Sequence, residues 1–340
     1  MDVTERITDD EIRQLRDALR GTLGSAKDDA VPAPDAEWRQ AWPALAALGV
    51  CALCVPEERG GFGLQVEAAV AVARELGAAL HGSPYAGLTA GVHALSRCTD
   101  GSTDGLVSGI LEGERVCSFG VLDASGRVAR AVDGGPDADA LVLLDRSRDD
   151  LVVLSDPSAW SLRSPRHGFD VTRASCDMDV DPTGGLRIGG AATARDIYGL
   201  LLAADALGCV QRMIDRTVAY AGQREAFGRP IGGFQAVQHR LVDHAVRVRG
   251  MSLLIIEAAG LLSAGSPLAT RFVALAEVAV SSRAVHILHD LLQLTGAIGF
   301  TWEYGLHFYE RRAHQDARLA GNPRSAARLL VQIEGWADAR

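Results

Sequence analysis

The chain has 340 residues and a formal net charge of −9, from 34 Lys and Arg against 43 Asp and Glu. A protein that binds nucleic acid or an anionic membrane surface needs a basic face, and these counts argue against both classes. Apolar residues make up 48% of the chain and charged residues 23%, which excludes a disordered protein and allows a large buried core. The length predicts two or three domains.

The sequence predicts a protein of the reducing cytoplasm. No run of about 18 uncharged apolar residues occurs, so we expect no membrane span. The start, MDVTERITDDEIRQ, lacks the basic and apolar regions of a signal peptide. Six cysteines are too few for a disulfide scaffold, and Cys51 and Cys54 form a single C-x-x-C without the second pair that a zinc ribbon needs. Small buried apolar positions are therefore favoured over redox or metal-binding roles for these two cysteines.

The first part of the chain, residues 1–112, is predicted to be a helical domain. Thr8 followed by Glu11 is typical of a capping box ahead of a helix. Further helices are predicted over about residues 36–48 and 66–80. The segment between them, VPEERGGFGL, favours a turn because of its Pro and Gly residues, and phosphate binding by G-G-F-G at 60–63 is the weaker alternative.

Two further domains follow. Residues 113–190 carry short apolar or alternating runs between Asp, Gly, Pro and Ser clusters, which indicates a small β domain. Residues 191–340 return to helical periodicity, which indicates a helix bundle. We therefore predict a mostly α fold with a small middle β domain. The predicted strands cover residues 116–121, 140–144, 151–154 and 186–188, and the predicted helices cover residues 191–222, 235–264, 267–293 and 323–336.

The sequence lacks the recognised motifs for nucleotide and metal binding. There is no P-loop, and no G-x-G-x-x-G opens a helix after a strand. His286 and His289 stand three residues apart and could share a face with His239 or His244 of a neighbouring helix. A di-metal bundle needs repeated Glu-x-x-His motifs, which this sequence lacks, so we expect no metal.

The most informative stretch is AYAGQREAFGRPIGGFQAVQHRLVD, residues 219–243. A helix is predicted to end within it, Gly228 and Pro230 to form a tight turn, and a new helix to begin near Gln235. Arg224 and Gln235 would then converge on one corner. An arginine beside helix-terminal amides suits a pyrophosphate, although a solvated surface arginine would give the same local pattern.

At these residues the sequence resembles the acyl-CoA dehydrogenase family. The matching segments are R-E-A-F-G-R-P-I at 224–231, F-Q at 234–235, L-G-V at 48–50, V-P-E-E at 55–58, G-G-F-G-L at 60–64 and Q-L-T-G-A-I-G-F-T at 293–301. The resemblance covers nearly the whole chain. It implies an N-terminal helical domain, a middle β-barrel-like domain, a C-terminal four-helix bundle and FAD bound between subunits.

The resemblance also implies which residues contact the adenine and pyrophosphate side of an FAD held mainly by a neighbouring subunit. They are Arg224, Phe227, Gln235, Gln293, Gly296, Ala297 and Gly299. The family has a second glycine where this chain has Ala297. Alanine still offers its N–H group, so we keep this position in the expected FAD contacts.

The catalytic base cannot be assigned from the resemblance. The family reaction removes an α-proton from an acyl-CoA thioester while the β-hydrogen leaves as hydride to the flavin, so a carboxylate must lie beside the substrate. The family's two base positions align with Ala320 and Tyr198, and neither is an acid. Asp196, Asp205 and Asp316 lie near these positions, but carboxylates are common on helix surfaces.

The middle domain departs from the family as well. The Thr-Glu-Pro segment that holds the flavin ring is replaced by C-S-F-G-V-L-D at 117–123, and the later G-x-K-x-x-I/W-I-T segment is not found. The residues expected to hold the flavin ring are therefore missing, while those expected to contact the adenine side of FAD are present. This pattern resembles the shorter, non-base subunit of α2β2 heterotetrameric acyl-CoA dehydrogenases, in which two homologous chains share each site.

Three functions follow from this resemblance. The leading hypothesis is a subunit that acts with a homologous partner to introduce an α,β double bond into a bulky acyl-CoA, such as a steroid-derived one. The first alternative is a self-sufficient homo-oligomeric dehydrogenase with a displaced base such as Asp196 or Asp205. The second is a non-redox or scaffolding member of the fold.

Overall fold

The computed structural model describes residues 7–23, 38–135, 138–164, 168–319 and 323–336. In these ranges the chain forms helical N-terminal and C-terminal parts on either side of a single large β-sheet. The predicted fold class, mostly α with a middle β domain, is confirmed. The helices that position the candidate site are the long ones of the C-terminal part.

The described residues of the N-terminal part form five α-helices. They are α1 (Asp9–Leu23), α2 (Trp38–Ala46), α3 (Val66–Ala78), α4 (Tyr85–Ser96) and α5 (Asp104–Leu111). The capping box is confirmed, since the Thr8 amide donates to Glu11 Oε2 at 2.8 Å and the Glu11 amide donates to Thr8 Oγ1 at 3.3 Å. Every residue of α4 is buried, so this helix has no polar face and no amphipathic period by which the sequence could indicate it.

Two small motifs of this part have structural explanations. A Cβ atom on Gly61 would lie 2.0 Å from the Val55 carbonyl oxygen, so the glycine cluster allows a close turn to pack. Cys51 and Cys54 are both buried, and burial raises the pKa of each thiol to about 12. These cysteines are therefore unreactive core residues, as the composition favours.

The middle part is one seven-stranded sheet with the strand order β5-β6-β2-β1-β3-β4-β7. The strands are β1 (Cys117–Leu122), β2 (Val128–Asp133), β3 (Ala140–Asp145), β4 (Asp150–Leu154), β5 (Trp160–Leu162), β6 (Ser175–Val180) and β7 (Leu186–Ile188). Only β1 and β3 pair in parallel. The strands β2, β5 and β6 were not predicted. In β2 and β6 charged residues face solvent, as in the 2.6 Å ion pair between Arg130 and Asp177.

The C-terminal part is a bundle built around one long helix. Its elements are α6 (Ala191–Gln223), the hairpin β8 (Glu225–Ala226) and β9 (Arg229–Pro230), α7 (Gln235–Ser263), α8 (Ala269–Thr295), α9 (Leu306–Leu319) and α10 (Pro323–Ile333). Helix α6 packs against α3 and α4 on one side and against α7, α8 and α9 on the other. Gly208 of α6 lies so close to α3 that a Cβ would come within 2.0 Å of the Arg74 carbonyl oxygen. The backbones of the two helical parts are therefore in direct contact.

Two stretches are long and apolar enough to cross a membrane by length and composition alone, Ala191–Gln223 and Ala269–Phe300. The search for uncharged runs in the sequence does not detect them, because each contains a few charged residues. In the first, 89% of the most apolar window is buried inside the protein. Packing at the centre of the bundle therefore accounts for the apolar composition of α6.

Candidate functional site

Arg224 and Gln235 lie at the corner between α6 and α7. Arg224 caps the C-terminus of α6, and its carbonyl oxygen accepts a hydrogen bond from the Ile231 amide at 2.8 Å. Gln235 is the first residue of α7, which has neither a side-chain cap nor an acidic residue in its first turn. Both side chains are exposed. The corner therefore combines a cation, an amide side chain and helix-terminal N–H groups, which together suit a pyrophosphate.

The hairpin at this corner projects Phe227 into solvent. Phe227 and Gly228 join β8 to β9, and both have positive φ angles of 54° and 80°. These are the conformations of a two-residue type I′ turn, which strains a bulky side chain. Phe227 is 95% exposed. A strained, fully exposed aromatic residue indicates contact with another molecule.

The second predicted segment lies at the C-terminus of α8. Gln293 is exposed in its last turn, and residues 296–300 form a short 3₁₀ turn. Gly296 has φ 68° and ψ −147°, a backbone conformation essentially restricted to glycine. Gly299 is buried, and a Cβ there would lie 2.2 Å from Thr295 Oγ1. Ala297 is exposed and has no positive φ, so alanine replaces the family's glycine there without strain.

The two segments lie at the same end of the α7–α8 pair. These helices are antiparallel neighbours joined by a short loop, so the start of α7 lies beside the end of α8. The side chains of Arg224, Gln235 and Gln293 make no hydrogen bond to another described residue. Free polar groups and an exposed aromatic ring at one end of a helix pair fit the adenine and pyrophosphate side of FAD.

The strand expected to hold the flavin ring presents a buried aromatic residue to the bundle. The segment that should hold the ring is the central strand β1, where Phe119 is fully buried. The ring of Phe119 packs against that of Tyr198 on α6, with centroids 4.8 Å apart. Tyr198 is 2% exposed. Two aromatic side chains therefore fill the gap between the sheet and the bundle at this level.

Neither aligned base position offers a base. Burial raises the pKa of Tyr198 well above its ordinary value, so its hydroxyl remains protonated. That hydroxyl is buried without a hydrogen-bond partner in the described part of the chain. Ala320 lies outside the described residues.

The aspartates near these positions are held by other groups. Asp196 accepts hydrogen bonds from Thr270 Oγ1 at 2.6 Å and from its neighbour Arg195. Asp205 lies 3.5 Å from Arg173 and 3.4 Å from Arg312. A carboxylate that is ion-paired and hydrogen-bonded is a poor general base.

These contacts belong to an ion network buried where the sheet meets both helical parts. Arg173 lies 3.3 Å from Asp133 and also pairs with Asp316, while Arg312 pairs with Asp170 at 2.6 Å. Arg312 also donates to the His81 carbonyl oxygen at 3.1 Å. With Asp205, the network contains four aspartates and two arginines. Burial, together with the charge of Asp205, raises the pKa of Asp316 well above its ordinary value, which favours a protonated carboxyl there.

One carboxyl that the sequence did not indicate lies beside the turn of α6 that carries Tyr198. Glu277 on α8 packs against Gly199 of α6, where a Cβ would overlap its Oε1 atom. Burial raises the pKa of Glu277 to about 8. It lines a cavity of about 20 Å³ together with Asp316 and Pro323, which is room for one water molecule. The sequence could have indicated Glu277 only as a single Glu among the apolar positions of α8. That such a residue faces α6 becomes clear only once the orientation of the helix is known.

Two of the four histidines considered as metal ligands are paired with carboxylates. His244 is buried, and its Nε2 lies 2.6 Å from Asp290 Oδ2, while His289 Nδ1 lies 3.2 Å from Glu310 Oε1. His239 and His286 are exposed. Within the part of the chain that the structure describes, no group of three or more His, Cys, Asp or Glu side chains is placed to hold a metal ion.

Comparison with known proteins agrees with the sequence motifs. Residues 9–100 match the family description "Acyl-CoA dehydrogenase, N-terminal domain", and residues 198–329 match "Acyl-CoA dehydrogenase, C-terminal domain". The acyl-CoA dehydrogenase IpdE2 of Mycolicibacterium smegmatis is 34% identical over 284 residues, which cover 83% of this chain and 84% of that protein.

Solved structures share the fold over its full length. The steroid ACAD Tcur3481–Tcur3483, as its G363A variant, superposes with a TM-score of 0.83 over 97% of this chain and 99% of that chain, at 20% identity. The ChsE4–ChsE5 complex from Mycobacterium tuberculosis superposes with a TM-score of 0.82 over 96% and 97%, at 23% identity. The family matches, the relative and the fold therefore agree, and this chain belongs to the acyl-CoA dehydrogenase family, whose members depend on FAD.

Proposed function

We propose that this chain is one subunit of a heteromeric, α2β2 acyl-CoA dehydrogenase, in which it completes the adenine and pyrophosphate half of an FAD site. A homologous partner chain supplies the pocket for the flavin ring and the catalytic base. The observation that carries this proposal is the asymmetry of the site. Arg224, Phe227 and Gln235 are exposed at the corner between α6 and α7. The strand expected to hold the flavin ring instead carries the buried Phe119, which packs against Tyr198.

Exposed apolar surface supports the need for a partner. Val218, Ile298, Phe300 and Trp302 are between 42% and 61% exposed. Val218 lies on α6 near Arg224, and the other three follow the C-terminus of α8, which carries Gln293. A second surface, which we name the α7 face, consists of Val242, Val246, Leu253 and Ile256, each at least 50% exposed. Large apolar side chains exposed in such groups mark protein interfaces. The α7 face continues from the corner that contributes to the shared site, so we assign it to the same homologous partner.

The proposed reaction is α,β-dehydrogenation of a bulky acyl-CoA thioester. The partner's carboxylate would take the α-proton, and a bound FAD would supply the hydride acceptor for the β-hydrogen, so that the C–C bond becomes double. The residues of this chain would hold the cofactor, with Arg224 neutralising phosphate charge and the N–H groups at the start of α7 available as hydrogen-bond donors. Two solved relatives of the fold are described as a steroid ACAD and as a ChsE4–ChsE5 complex, which supports a steroid-derived acyl group and a two-chain assembly.

Expression with and without a homologous partner chain tests the proposal. The chain alone should purify with little flavin absorbance and no dehydrogenase activity, and the co-purified assembly should be yellow and active. An Arg224→Ala variant should assemble normally but lose FAD affinity by about tenfold or more. Full FAD occupancy and turnover by this chain alone would contradict the proposal.

A self-sufficient enzyme is the second candidate, and Glu277 is the observation that favours it. This carboxyl has no hydrogen bond to a described residue, and it lies against Gly199, which follows Tyr198 in the sequence. Under this alternative Glu277→Gln abolishes turnover by the isolated chain while FAD remains bound. Under the two-chain proposal, the same variant leaves the activity of the assembly intact. A scaffolding role predicts that Arg224→Ala changes no function at all.

A further inference from the structure

The two cofactor-binding segments of this chain are connected by a group of polar residues between α7 and α8. Asp290 of α8 accepts hydrogen bonds from Arg240 Nε at 3.0 Å and from His244 Nε2 at 2.6 Å, and a second Arg240 nitrogen bonds its other oxygen. Arg247 Nη1 lies 3.3 Å from His244 Nδ1 and donates to it. His244 is therefore held as the tautomer that donates from Nε2 to Asp290.

This group lies close to both cofactor segments. At 1.5 Å of rise per residue, Arg240 is about 8 Å along α7 from Gln235, and Asp290 is about 5 Å along α8 from Gln293. Asp290 thus connects the helix turn that carries one predicted FAD contact to the turn that carries the other. Although burial raises the pKa of Asp290, hydrogen bonds from Arg240 and His244 lower it below its ordinary value, so the carboxylate is charged.

Apolar packing does not fix this end of α7. The first buried residue of the helix is His244, and the first buried apolar residue of α7 is Val248. Of residues 235–243, only Leu241 packs partly against the core. The first two turns of α7 therefore depend on Asp290 and on the hairpin for their position. Charge-assisted hydrogen bonds with bidentate geometry are suited to this role because they fix direction as well as distance.

We propose that Asp290, held by Arg240 and His244, is a positioning residue that sets the distance between Gln235 and Gln293 and thereby the affinity of this chain's half-site for the adenosine diphosphate part of FAD. This inference rests on the proposed function. It adds a group of residues that does not contact the cofactor but determines where the contacting residues lie.

FAD titrated into the apo-assembly of this chain and its partner tests the inference. Asp290→Asn should weaken FAD binding by about tenfold or more, because asparagine cannot bind both Arg240 and His244 as a charged acceptor. His244→Ala should act in the same direction. His244→Gln should bind FAD like the wild type, because a glutamine amide can donate to Asp290 and accept from Arg247.

A matched control separates positioning from a general loss of stability. Glu334 pairs with Arg271 at 2.6 Å at the opposite end of α8. Glu334→Gln should lower the melting temperature about as much as Asp290→Asn does, yet leave FAD affinity unchanged. If Asp290→Asn does not fold, Arg240→Gln provides the test, since Arg240 is 39% exposed and we expect its substitution to disturb folding less than the loss of Asp290.

Arg224→Ala, measured in parallel, distinguishes the failure of this inference from that of the proposed function. Unchanged FAD affinity in the Asp290 and Arg240 variants, with lost affinity in Arg224→Ala, overturns the positioning role alone. Unchanged affinity in all of them overturns the half-site itself. Loss of affinity in both His244→Ala and His244→Gln also contradicts the inference, because it would show that the hydrogen-bond geometry is not what matters.

Discussion

Phe119 of β1 and Tyr198 of α6 pack ring against ring, 4.8 Å apart, at the place where the sheet meets the bundle. The sequence resemblance aligns Tyr198 with the catalytic base of one branch of the family. Here its hydroxyl is buried and unpaired within the described part of the chain. The two rings therefore close the gap between the sheet and the bundle at this level, and Tyr198 offers no carboxylate there.

Tyr198→Phe should leave the FAD content and activity of the assembly unchanged. It should also leave the free energy of unfolding the same or slightly higher, because it removes a buried hydroxyl that has no partner. Urea denaturation and turnover measurements check this. As a control, Phe119→Ala should lower the free energy of unfolding by about 3 to 5 kcal/mol through cavity formation. Lost activity with retained FAD in Tyr198→Phe would show that Tyr198 acts in catalysis.

Arg173→Met should lower the free energy of unfolding by about 3 to 5 kcal/mol, because it leaves buried aspartates without their cation. Arg173 is 3% exposed and pairs with Asp133, Asp205 and Asp316. Arg130→Met removes an ion pair that is half exposed and should cost less than about 1 kcal/mol. Chemical denaturation of both variants measures the difference, and similar small losses would contradict the structural role of the network.

Glu277→Gln should change how stability depends on pH. The folded pKa of about 8 lies above the ordinary value of 4.5, so the folded state keeps a proton that the unfolded state has released. Stability of the wild type therefore falls as the pH rises from about 4.5 to about 8, with a limiting slope of about 1.4 kcal/mol per pH unit from this group. The glutamine variant lacks this contribution and should be the more stable protein at pH 8. Urea denaturation at several pH values measures the free energy of unfolding of both proteins. If it depends on pH in the same way in both, Glu277 has an ordinary pKa and the prediction is contradicted.

Val246→Asp should separate this chain from its partner without unfolding it. Val246 is 66% exposed at the centre of the α7 face, where a charge costs little in the free subunit but is buried in the complex. The dissociation constant should rise by about tenfold or more. Val331→Asp places the same charge on an exposed valine of α10 and should leave assembly unchanged. Sedimentation or light scattering distinguishes the two, and an intact Val246→Asp assembly would place the partner elsewhere.

The sequence indicated the fold where local pattern decides the structure. The capping box at Thr8 and the long amphipathic helices were predicted because caps and periodicity are local properties. Helix α9 was not predicted, because Arg312 and Asp316 are buried in an ion network and interrupt its apolar period. Likewise α4 has no polar face, since the protein covers it on all sides.

The candidate site divides in the same way. Arg224, Phe227 and Gln235 were found because a local motif carries them, and their role as FAD contacts stays a prediction. The contact of Phe119 with Tyr198, the carboxyl of Glu277 and the group around Asp290 were not found. Each of these joins residues from separate elements, so only the packing of α6, α7, α8 and the sheet brings them together.

The ratio of FAD to protein chains in the purified assembly tests the central claim most directly. If this chain supplies only the adenine half of a shared site, the assembly should contain one FAD for every two chains, measured by flavin absorbance after denaturation against total protein. One FAD per chain would show that this subunit holds a complete site of its own and would contradict the division of the site between two chains.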